Sequence, residues 1–401
     1  MNILFLTMSK MLSVENRGIY TDLMRKFREE RHKVFIVTPS ERREGRKTCV
    51  IEEKGVKILS VRTLNVQKTN VIEKGIGQVS IEFLYKRAIK KYFAGVSFDL
   101  ILYSTPPITF PKVIEYAKKV NPSAKTYLLL KDIFPQNAVD LGMFSKNSLF
   151  YAYFRRKEIA MYKVSDYIGC MSPANVKFVL EHNDFIPTER VEVAPNSLEL
   201  VSNALSSNDK AIREKYNLPT DKPLFIYGGN LGKPQGIDFL IQCLNANSLR
   251  RDCHFVVVGN GTEYKKIETW YQTTHPQSVS LFARLPKEDY DLLVQVCDVG
   301  LIFLDHRFTI PNYPSRLLSY LEYKMPIIAA TDVNTDIGRL AEDNGYGYWC
   351  ESVDVEAFTT CVSKYTENPA SIKEMGENGY KFLLDNYLVE HTYATIVKHF
   401  A

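Results

Sequence analysis

The chain has 401 residues, of which 45% are hydrophobic and 24% are charged. These proportions are typical of a soluble globular protein, and an aromatic fraction of 12% argues against disorder. The formal net charge of +5 is small for this length and does not indicate nucleic-acid binding as the main task. The length predicts two or three domains, and we expect two.

Cysteine usage and the N-terminal residues indicate a cytosolic protein. The seven cysteines are scattered, with no C-x-x-C pair and no Cys/His spacing typical of metal sites, and we interpret them as reduced core residues. The opening residues MNILFLTMSKML lack a basic leader and a small-residue cleavage site, so they predict a first strand. No run of about eighteen apolar residues occurs, so we expect no membrane-spanning helix.

The first half of the chain alternates short apolar runs with helical patterns, which is the rhythm of a parallel sheet with crossover helices. The pattern predicts strands at 3–6, 34–37, 56–60, 100–103, 126–130, 167–171 and 191–194. It predicts helices at about 18–30, 71–93, 112–119 and 148–164.

The alternation of predicted strands and helices begins again after a polar stretch at 196–223, which we interpret as the interdomain connection with one short helix. Further strands are predicted at 224–227, 254–258, 279–282, 299–303 and 327–330, with helices around 239–244 and, as a pair, at about 370–400. The predicted fold class is therefore α/β, with two Rossmann-like doubly wound domains facing each other across a cleft. We assign 1–200 to the first domain, 201–380 to the second, and 381–401 to a helix that crosses back to the first.

The segment 310–330, IPNYPSRLLSYLEYKMPIIAA, combines a Pro-Ser helix start with a buried strand. Ser315 is predicted to cap the first amides, so the helix would point its N-terminus at an anion such as a nucleotide diphosphate. Arg316 is a candidate partner for phosphate. Ser319 and Glu322 lie on the stripe that follows Ser315 and are candidates for holding ribose hydroxyls. An ordinary helix-to-strand joint is the alternative.

Glycine-rich loops follow the first strands of the second half, at the strand ends where α/β sheets bind ligands. The loop at 228–236, GGNLGKPQG, would let backbone amides approach a diphosphate, and Lys233 adds a charge. Its spacing is neither G-x-G-x-x-G nor a Walker A loop, and a tight strand-to-helix turn is the alternative. For GNG at 259–261 the alternative is a sharp turn with glycine at positive φ. Arg284 and Leu285, after a later strand, lie where a loop could read a base edge, and a solvated arginine is the alternative.

Two loops of the first half carry polar residues at strand ends. Residues 16–18, NRG, follow the first strand at the start of a helix, a place for an anion or sugar contact. Lys131 and Asp132 directly follow the strand 126–130, and Asn137 lies shortly after them. Asp132 is a candidate for binding an acceptor hydroxyl or for proton transfer, with a turn-stabilising role as the alternative.

Two segments mix basic and aromatic residues at helical spacing: 83–93, FLYKRAIKKYF, and 150–157, FYAYFRRK. Such helices can bind an anionic membrane face through Lys and Arg with aromatic anchors. The alternative is a pair of half-buried surface helices.

Other chemistries find no support in the sequence. The seven histidines show no helical metal spacing, and His306 in LDHRFTIPNYP is interpreted as a loop polar residue. No G-x-S-x-G occurs, so a serine hydrolase of that kind is not expected.

A resemblance to a known family rests on six segments, in chain order KDIFPQNAVDLGMF, VAPNSLE, GGNLGKPQGIDFLI, VVVGNGTE, LPKEDYDLLVQVCDVGLIFL and YPSRLLSYLEYKMPIIAATDVNTDIG. The chain resembles, nearly end to end, the retaining glycosyltransferases of family 4, which have the GT-B fold. It looks most like the branch that adds amino sugars, such as N-acetylfucosamine, in bacterial O-antigen and capsule pathways.

The resemblance implies a metal-independent hexosyltransferase that keeps the anomeric configuration. It implies a UDP-sugar donor, either an N-acetylated hexosamine or a deoxyhexosamine, held mainly by the second domain. It also implies a polyprenyl-diphosphate-linked glycan acceptor held by the first domain. No cofactor is implied. The protein would be cytoplasmic and peripheral on the inner face of the cytoplasmic membrane, through 83–93 and 150–157.

The motifs and the resemblance together assign three sets of residues. The catalytic candidates are Asp132, Lys233 and Arg316. The donor-binding candidates are Gly18, Gly229, Asn230, Leu231, Gly232, Gln235, Gly259, Asn260, Gly261, Arg284, Leu285, Pro314, Ser315, Ser319 and Glu322. The acceptor-binding candidates are Asn16, Arg17, Lys131 and Asn137.

The chain departs from the family pattern at four charged positions. Many members carry Arg and Lys in the first loop of the second domain, where this chain has Asn230 and Gln235. They also carry a pair of glutamates eight positions apart, and the corresponding residues here are Pro311 and Ser319. One alternative is therefore a catalytically silent GT-B scaffold or partner subunit. Another is a sugar-nucleotide 2-epimerase, which requires paired carboxylates and a histidine that the sequence does not bring together.

Overall fold

The computed structural model describes residues 1–65, 71–200 and 209–400, and the side chains in these ranges except those of 71–76, 78, 79 and 209. The chain divides into two compact units. The first contains Met1–Glu199 together with the C-terminal segment from Val389, and the second contains Leu200–Leu388. None of the helices in the described ranges is both long enough and apolar enough to cross a membrane.

The first unit is built on an eight-stranded sheet in the order β3-β4-β2-β1-β5-β6-β7-β8. Its strands are β1 (Asn2–Leu6), β2 (Lys33–Glu41), β3 (Cys49–Glu53), β4 (Val56–Thr63), β5 (Leu100–Ser104), β6 (Lys125–Leu130), β7 (Tyr167–Cys170) and β8 (Val191–Val193). All neighbouring pairs are parallel except β3 and β4. The seven predicted strands are confirmed. β3 was not predicted because its sequence, CVIEE, has only three apolar residues before two glutamates, and the strand is mostly exposed.

The helices of the first unit include one from the end of the chain. They are α1 (Ile19–Glu29), α2 (Val71–Tyr92), α3 (Pro111–Val120), α4 (Gln136–Asp140), α5 (Leu149–Val164), α6 (Pro173–Glu181) and α15 (Val389–Val397). α1 buries one apolar face that includes Phe27. The ring of Tyr393 on α15 lies 5.2 Å from that of Phe27, and Val389 and Ile396 belong to the same core. The C-terminal residues thus form part of the core of the first unit.

The second unit has a six-stranded, fully parallel sheet in the order β11-β10-β9-β12-β13-β14. Its strands are β9 (Leu224–Asn230), β10 (His254–Asn260), β11 (Val279–Phe282), β12 (Val299–Phe303), β13 (Ile327–Thr331) and β14 (Gly347–Glu351). Its helices are α7 (Asp209–Lys215), α8 (Ile237–Ala246), α9 (Tyr264–Thr274), α10 (Lys287–Gln295), α11 (Arg316–Glu322), α12 (Ile337–Asp343), α13 (Val355–Glu367) and α14 (Ala370–Asn386).

The predicted architecture of two doubly wound α/β units is confirmed. In each sheet the chain first adds strands on one side of the first strand, β1 or β9, and then adds strands on its other side. The point next to the first strand where this direction reverses is the usual place for a ligand site. Because the strands of the second sheet are all parallel, the loops that follow β9, β10, β11 and β12 lie along one edge. These loops carry the predicted donor motifs.

Candidate functional site

The loop after β9 is held closely against the loop after β10. Gly259 pairs with Gly229 in the sheet, and a Cβ atom on Gly259 would lie 1.9 Å from the Gly229 carbonyl oxygen. A Cβ atom on Gly261 would lie 2.2 Å from the carbonyl oxygen of Leu231, which is itself buried. Glycine is needed here for close approach of two backbones. The alternative that Gly259 and Gly261 adopt positive φ is wrong; in the loop after β9 the glycines with positive φ are Gly229, at +123°, and Gly236, at +57°.

Two of the predicted donor-binding side chains hydrogen-bond to each other. The Asn230 amide donates to Oε1 of Gln235 at 2.9 Å, and the backbone N–H of Gly232 donates to the same oxygen at 3.3 Å. At these two positions many family 4 members carry charged side chains. Here a neutral amide pair closes the turn, and the adjacent Lys233 is exposed. Asn260, the neighbour of Asn230 on β10, is also exposed.

Arg316, the first residue of α11, reaches the end of β9. Its guanidinium carbon lies 4.5 Å from the centre of the Tyr227 ring, a cation–π arrangement. The guanidinium also lies 3.8 Å from the position that a Cβ atom would take on Gly229. Nη1 of Arg316 is buried and has no hydrogen-bond partner among the residues that the structure describes. A buried charged donor without a partner is costly unless a ligand anion completes it.

Tyrosines that sequence reasoning missed surround this arginine. The Tyr320 hydroxyl accepts a 3.2 Å hydrogen bond from the Gly228 N–H and donates to the Ile226 carbonyl at the same distance. Tyr290 lies over the same glycine, since a Cβ atom on Gly228 would be 2.2 Å from its hydroxyl, and burial raises the pKa of Tyr290 to about 12. The i, i+4 spacing of Arg316 and Tyr320 could have indicated one partner, whereas Tyr290 comes from a distant helix.

The predicted cap at Ser315 is wrong. Its φ and ψ of −64° and −18° are already helical, and within the described chain its side chain makes no capping hydrogen bond. A capping residue needs an extended backbone to turn its hydroxyl back to the free amides. Ser315 is exposed and Pro314 is half-buried. Both residues therefore lie beside Arg316 in the chain, but the Ser315 hydroxyl does not bind the free amides at the start of α11.

The remaining donor candidates lie on the same unit without a contact that assigns their role. Ser319 and Glu322 are half-buried on α11, and Ser319 follows Arg316 by three residues. Arg284 is exposed and Leu285 half-buried in the loop between β11 and α10. Their part in donor binding stays a prediction.

In the first unit, Asp132 and Asn137 are brought together after β6. The Asn137 amide donates to Oδ1 of Asp132 at 2.7 Å, and burial raises the pKa of the Asp132 carboxyl to about 6. The hydroxyl of Tyr20 lies close enough to Asp132 for the carboxylate to raise its pKa, although burial is the larger cause. Lys131 donates instead to the Ala194 carbonyl at 3.0 Å, and burial lowers its pKa to about 7. Its ammonium group is therefore engaged by backbone.

The start of α1 is occupied by a network of its own. The Gly18 N–H donates to Oδ1 of Asp22 at 2.9 Å, and the Arg25 guanidinium pairs with the same oxygen at 2.6 Å. Arg17 donates to the Glu199 carbonyl at 3.5 Å, while Asn16 is exposed. The Asp22 carboxylate thus accepts the hydrogen bond from the Gly18 N–H, a backbone amide that the sequence had predicted to bind a ligand anion. The described residues contain no group of three or more His, Cys, Asp and Glu side chains placed to hold a metal ion.

The chain is similar in sequence to known glycosyltransferases. Residues 208–382 match the family described as glycosyl transferases group 1. The probable glycosyltransferase WbjE of Pseudomonas aeruginosa is 24% identical over 332 residues, covering 80% of this chain and 78% of its own. The putative colanic acid biosynthesis glycosyl transferase WcaI of Escherichia coli is 26% identical over 184 residues, 44% of each chain.

Solved structures show the same fold at low sequence identity. Sucrose-phosphate synthase from Thermosynechococcus elongatus superposes with a TM-score of 0.73 at 14% identity, covering 100% of this chain and 98% of that one. Anabaena HepE in complex with UDP superposes with a TM-score of 0.70 at 14% identity, covering 100% and 99%. Residues 208–382 are therefore similar to the glycosyl transferases group 1 family, in a chain with the GT-B fold.

Proposed function

We propose that the protein is a retaining, metal-independent glycosyltransferase that moves a sugar from a UDP-sugar to a lipid-linked glycan in surface polysaccharide biosynthesis. The group 1 match and the relatives named as glycosyltransferases support sugar transfer. The relative named for colanic acid biosynthesis supports a polysaccharide pathway. The neighbouring structure in complex with UDP and glucose supports a uridine nucleotide donor. The resemblance to the amino-sugar branch supports an N-acetylated hexosamine or deoxyhexosamine.

The observation that carries the proposal is the position of Arg316. Its guanidinium lies on the Tyr227 ring and close to Gly229. This is the strand end where the diphosphate of a nucleotide sugar is expected. Nη1 of the guanidinium has no hydrogen-bond partner among the described residues, so it is available to donate to phosphate. A guanidinium offers two parallel donors to phosphate and keeps its charge at any pH relevant to the enzyme. Arg316, with Lys233 and the loop amides, would neutralise the diphosphate as it leaves the sugar.

The acceptor would be bound by the first unit, with its hydroxyl group in contact with the Asp132 carboxylate. A carboxyl with a pKa of about 6 is mostly ionised at neutral pH and can accept a hydrogen bond or a proton from that hydroxyl. Its partner Asn137 fixes its orientation. Ser319 or Glu322 would contact the donor ribose in place of the family glutamate.

The test is UDP binding and UDP-sugar turnover by Arg316 variants. Replacing Arg316 by Ala removes a charge-assisted contact and should weaken UDP binding about 10- to 100-fold, whereas Lys should restore part of it. Arg251→Ala is the control, because Arg251 is exposed at the amino end of β10, the opposite edge of the sheet. Unchanged UDP affinity and turnover in both Arg316→Ala and Lys233→Ala would refute the proposed diphosphate site.

The same assay separates the proposal from a silent scaffold, which the serine at position 319 favours. A panel of UDP-sugars is first screened for thermal stabilisation, since a ligand at a hundred times its dissociation constant adds about 2.7 kcal/mol. A stabilising UDP-sugar that is slowly hydrolysed or transferred supports the enzyme. Stabilisation with no turnover, in the presence of lipid-linked acceptors, supports the scaffold.

A further inference from the structure

α14 packs closely against α11, the helix that begins with Arg316. A Cβ atom on Gly376 would lie 2.0 Å from the carbonyl oxygen of Lys324, which directly follows α11. A Cβ atom on Gly379 would lie 2.8 Å from Cδ2 of Leu321. The helices can approach this closely only because α14 has glycine at both positions. The two contacts run backward along α11 as α14 runs forward, so the helices are antiparallel.

The same antiparallel path brings Tyr387, just after α14, to Tyr313, just before α11. Their hydroxyls hydrogen-bond to each other, and their ring centres lie 6.3 Å apart. Tyr387 is 4% exposed, and the ring of Phe382 on α14 lies 5.5 Å from its own. Tyr387 follows Gly376 by eleven residues, and Tyr313 precedes Lys324 by the same number, so this contact continues the register of the two helices. α14 therefore holds α11 at both of its ends.

The hydrogen bond between the two tyrosines is not sensitive to pH in the physiological range. Burial raises the pKa of Tyr313 and that of Tyr387 above the usual value for a phenol, so both hydroxyls stay protonated. A hydroxyl that is removed from water and loses its partner costs free energy. The segment before α11 is therefore kept at the end of α14.

This contact from the side takes the place of a helix cap. Ser315 makes no capping hydrogen bond in the described chain, so no side chain fixes the start of α11 from within. Before it, the Asn312 N–H donates to Oγ1 of Thr335 at 3.0 Å. Tyr313 lies between this anchor and Arg316, three residues before the arginine. Its position thus sets where the first turn of α11 begins.

We infer that Tyr387 and Tyr313 are positioning residues for Arg316, because their hydrogen bond fixes the helix start from which the guanidinium reaches the diphosphate of a nucleotide sugar. The guanidinium has to lie on the Tyr227 ring at the end of β9, and a displacement of about 1 Å is enough to weaken such a contact strongly. Neither tyrosine hydroxyl has to touch the substrate. The inference deepens the proposed function and rests on it, since it requires that Arg316 binds the diphosphate.

Calorimetric titration of the full chain with UDP tests the inference. Tyr387→Phe keeps the packed ring and removes only the hydroxyl, and it should weaken UDP binding about threefold to tenfold. Tyr313→Phe should weaken UDP binding by a similar factor, because it breaks the same hydrogen bond from the other side. The two variants thus test one bond independently, in case either of them folds poorly.

A double-mutant cycle separates positioning of Arg316 from a merely structural role. In the Arg316→Ala background, Tyr387→Phe should change the UDP dissociation constant by less than about twofold, because the group that it positions is absent. A general loosening of the second unit would instead weaken UDP binding by the same factor in both backgrounds.

Tyr365→Phe is the matched control. Tyr365 is fully buried on α13 in the same unit, and its hydroxyl donates to the Ile327 carbonyl at 3.1 Å. Ile327 begins β13, so this hydrogen bond lies at the opposite edge of the sheet from the donor loops. Tyr365→Phe should therefore lower stability without changing UDP affinity. Unchanged circular dichroism would show that each variant is folded.

The outcomes distinguish this inference from the proposed function. UDP affinity within about twofold of wild type in both Tyr387→Phe and Tyr313→Phe would overturn the inference. So would an equal loss of affinity on adding Tyr387→Phe to Arg316→Ala, or a loss in Tyr365→Phe as large as that in Tyr387→Phe. These results leave the proposed function standing, provided that Arg316→Ala itself weakens UDP binding. Wild-type affinity in Arg316→Ala would count against the proposed diphosphate site, and the inference would fall with it.

Discussion

Replacing Gly259 by Ala should destabilise the second unit and loosen the loop that carries the candidate diphosphate site. The added Cβ atom would lie 1.9 Å from the Gly229 carbonyl oxygen, and ordinary contact begins at 3.4 Å, so the two backbones must separate by 1.5 Å. That shift would break the hydrogen bonds that tie the loops together, Leu231 N–H to the Asn260 carbonyl and Glu263 N–H to the Leu231 carbonyl, both at 2.9 Å. Overpacking and two lost hydrogen bonds together should cost about 2–5 kcal/mol.

The assay is denaturant unfolding followed by tryptophan fluorescence. The chain has two tryptophans, Trp270 and Trp349, and both lie in the second unit, so the signal reports on that unit alone. Gly345→Ala is the control, because Gly345 has a left-handed φ of +62° but only the flexible Asn378 side chain nearby, at 3.3 Å. The Gly345→Ala substitution should lower the free energy of unfolding by about 1 kcal/mol. A Gly259→Ala protein within about 0.5 kcal/mol of wild type would refute the close approach of the two loops.

Three further predictions concern hydroxyl and carboxyl groups. Tyr320→Phe leaves the Gly228 N–H without its acceptor and should cost about 1–3 kcal/mol in the same fluorescence assay; an unchanged free energy of unfolding would contradict the hydrogen bond. The pKa of Asp132 is raised from 3.8 to about 6, so the folded state binds the proton more tightly and this group lowers stability as pH rises from about 4 to about 6. As pH rises across that window, the free energy of unfolding of Asp132→Asn should therefore increase by about 1–3 kcal/mol relative to that of wild type, measured by thermal unfolding of the first unit. A difference between the two proteins that does not change with pH would be evidence against the pKa shift. Ser315→Ala should change stability by less than about 0.5 kcal/mol, whereas Ser148→Ala, which removes a true cap, should cost about 1 kcal/mol by chemical denaturation; equal losses would contradict the two cap geometries.

Most of the fold could be predicted because the central strands of both sheets are continuous apolar runs between turn residues. β3 and β14 were missed for the same physical reason. Both are edge strands with polar or half-exposed residues, CVIEE and GYWCE, and their pairing depends on neighbours that the local pattern does not show.

The candidate site was predictable in its loops but not in its contacts. The spacing of residues 228–236 and 259–261 indicated two glycine-rich turns, but only the adjacency of β9 and β10 shows that the second turn needs glycine to fit against the first. Arg316 was predicted as a phosphate partner from its place at a helix start. Its support by Tyr227 and Tyr290 comes from elements far apart in sequence, which no local spacing connects.

The core of the first unit contains residues from both ends of the described chain, and this has a consequence for synthesis on the ribosome. Val389 and Ile396, both almost fully buried there, are translated only after the whole second unit, residues 200–388. At about 5–20 residues per second, that interval lasts roughly 10–40 s. At the end of this time the second unit has all of its own residues, while the face of α1 that receives α15 is still uncovered. We expect nascent chains that stop before Val389 to be held by chaperones or degraded, although their second unit would be complete.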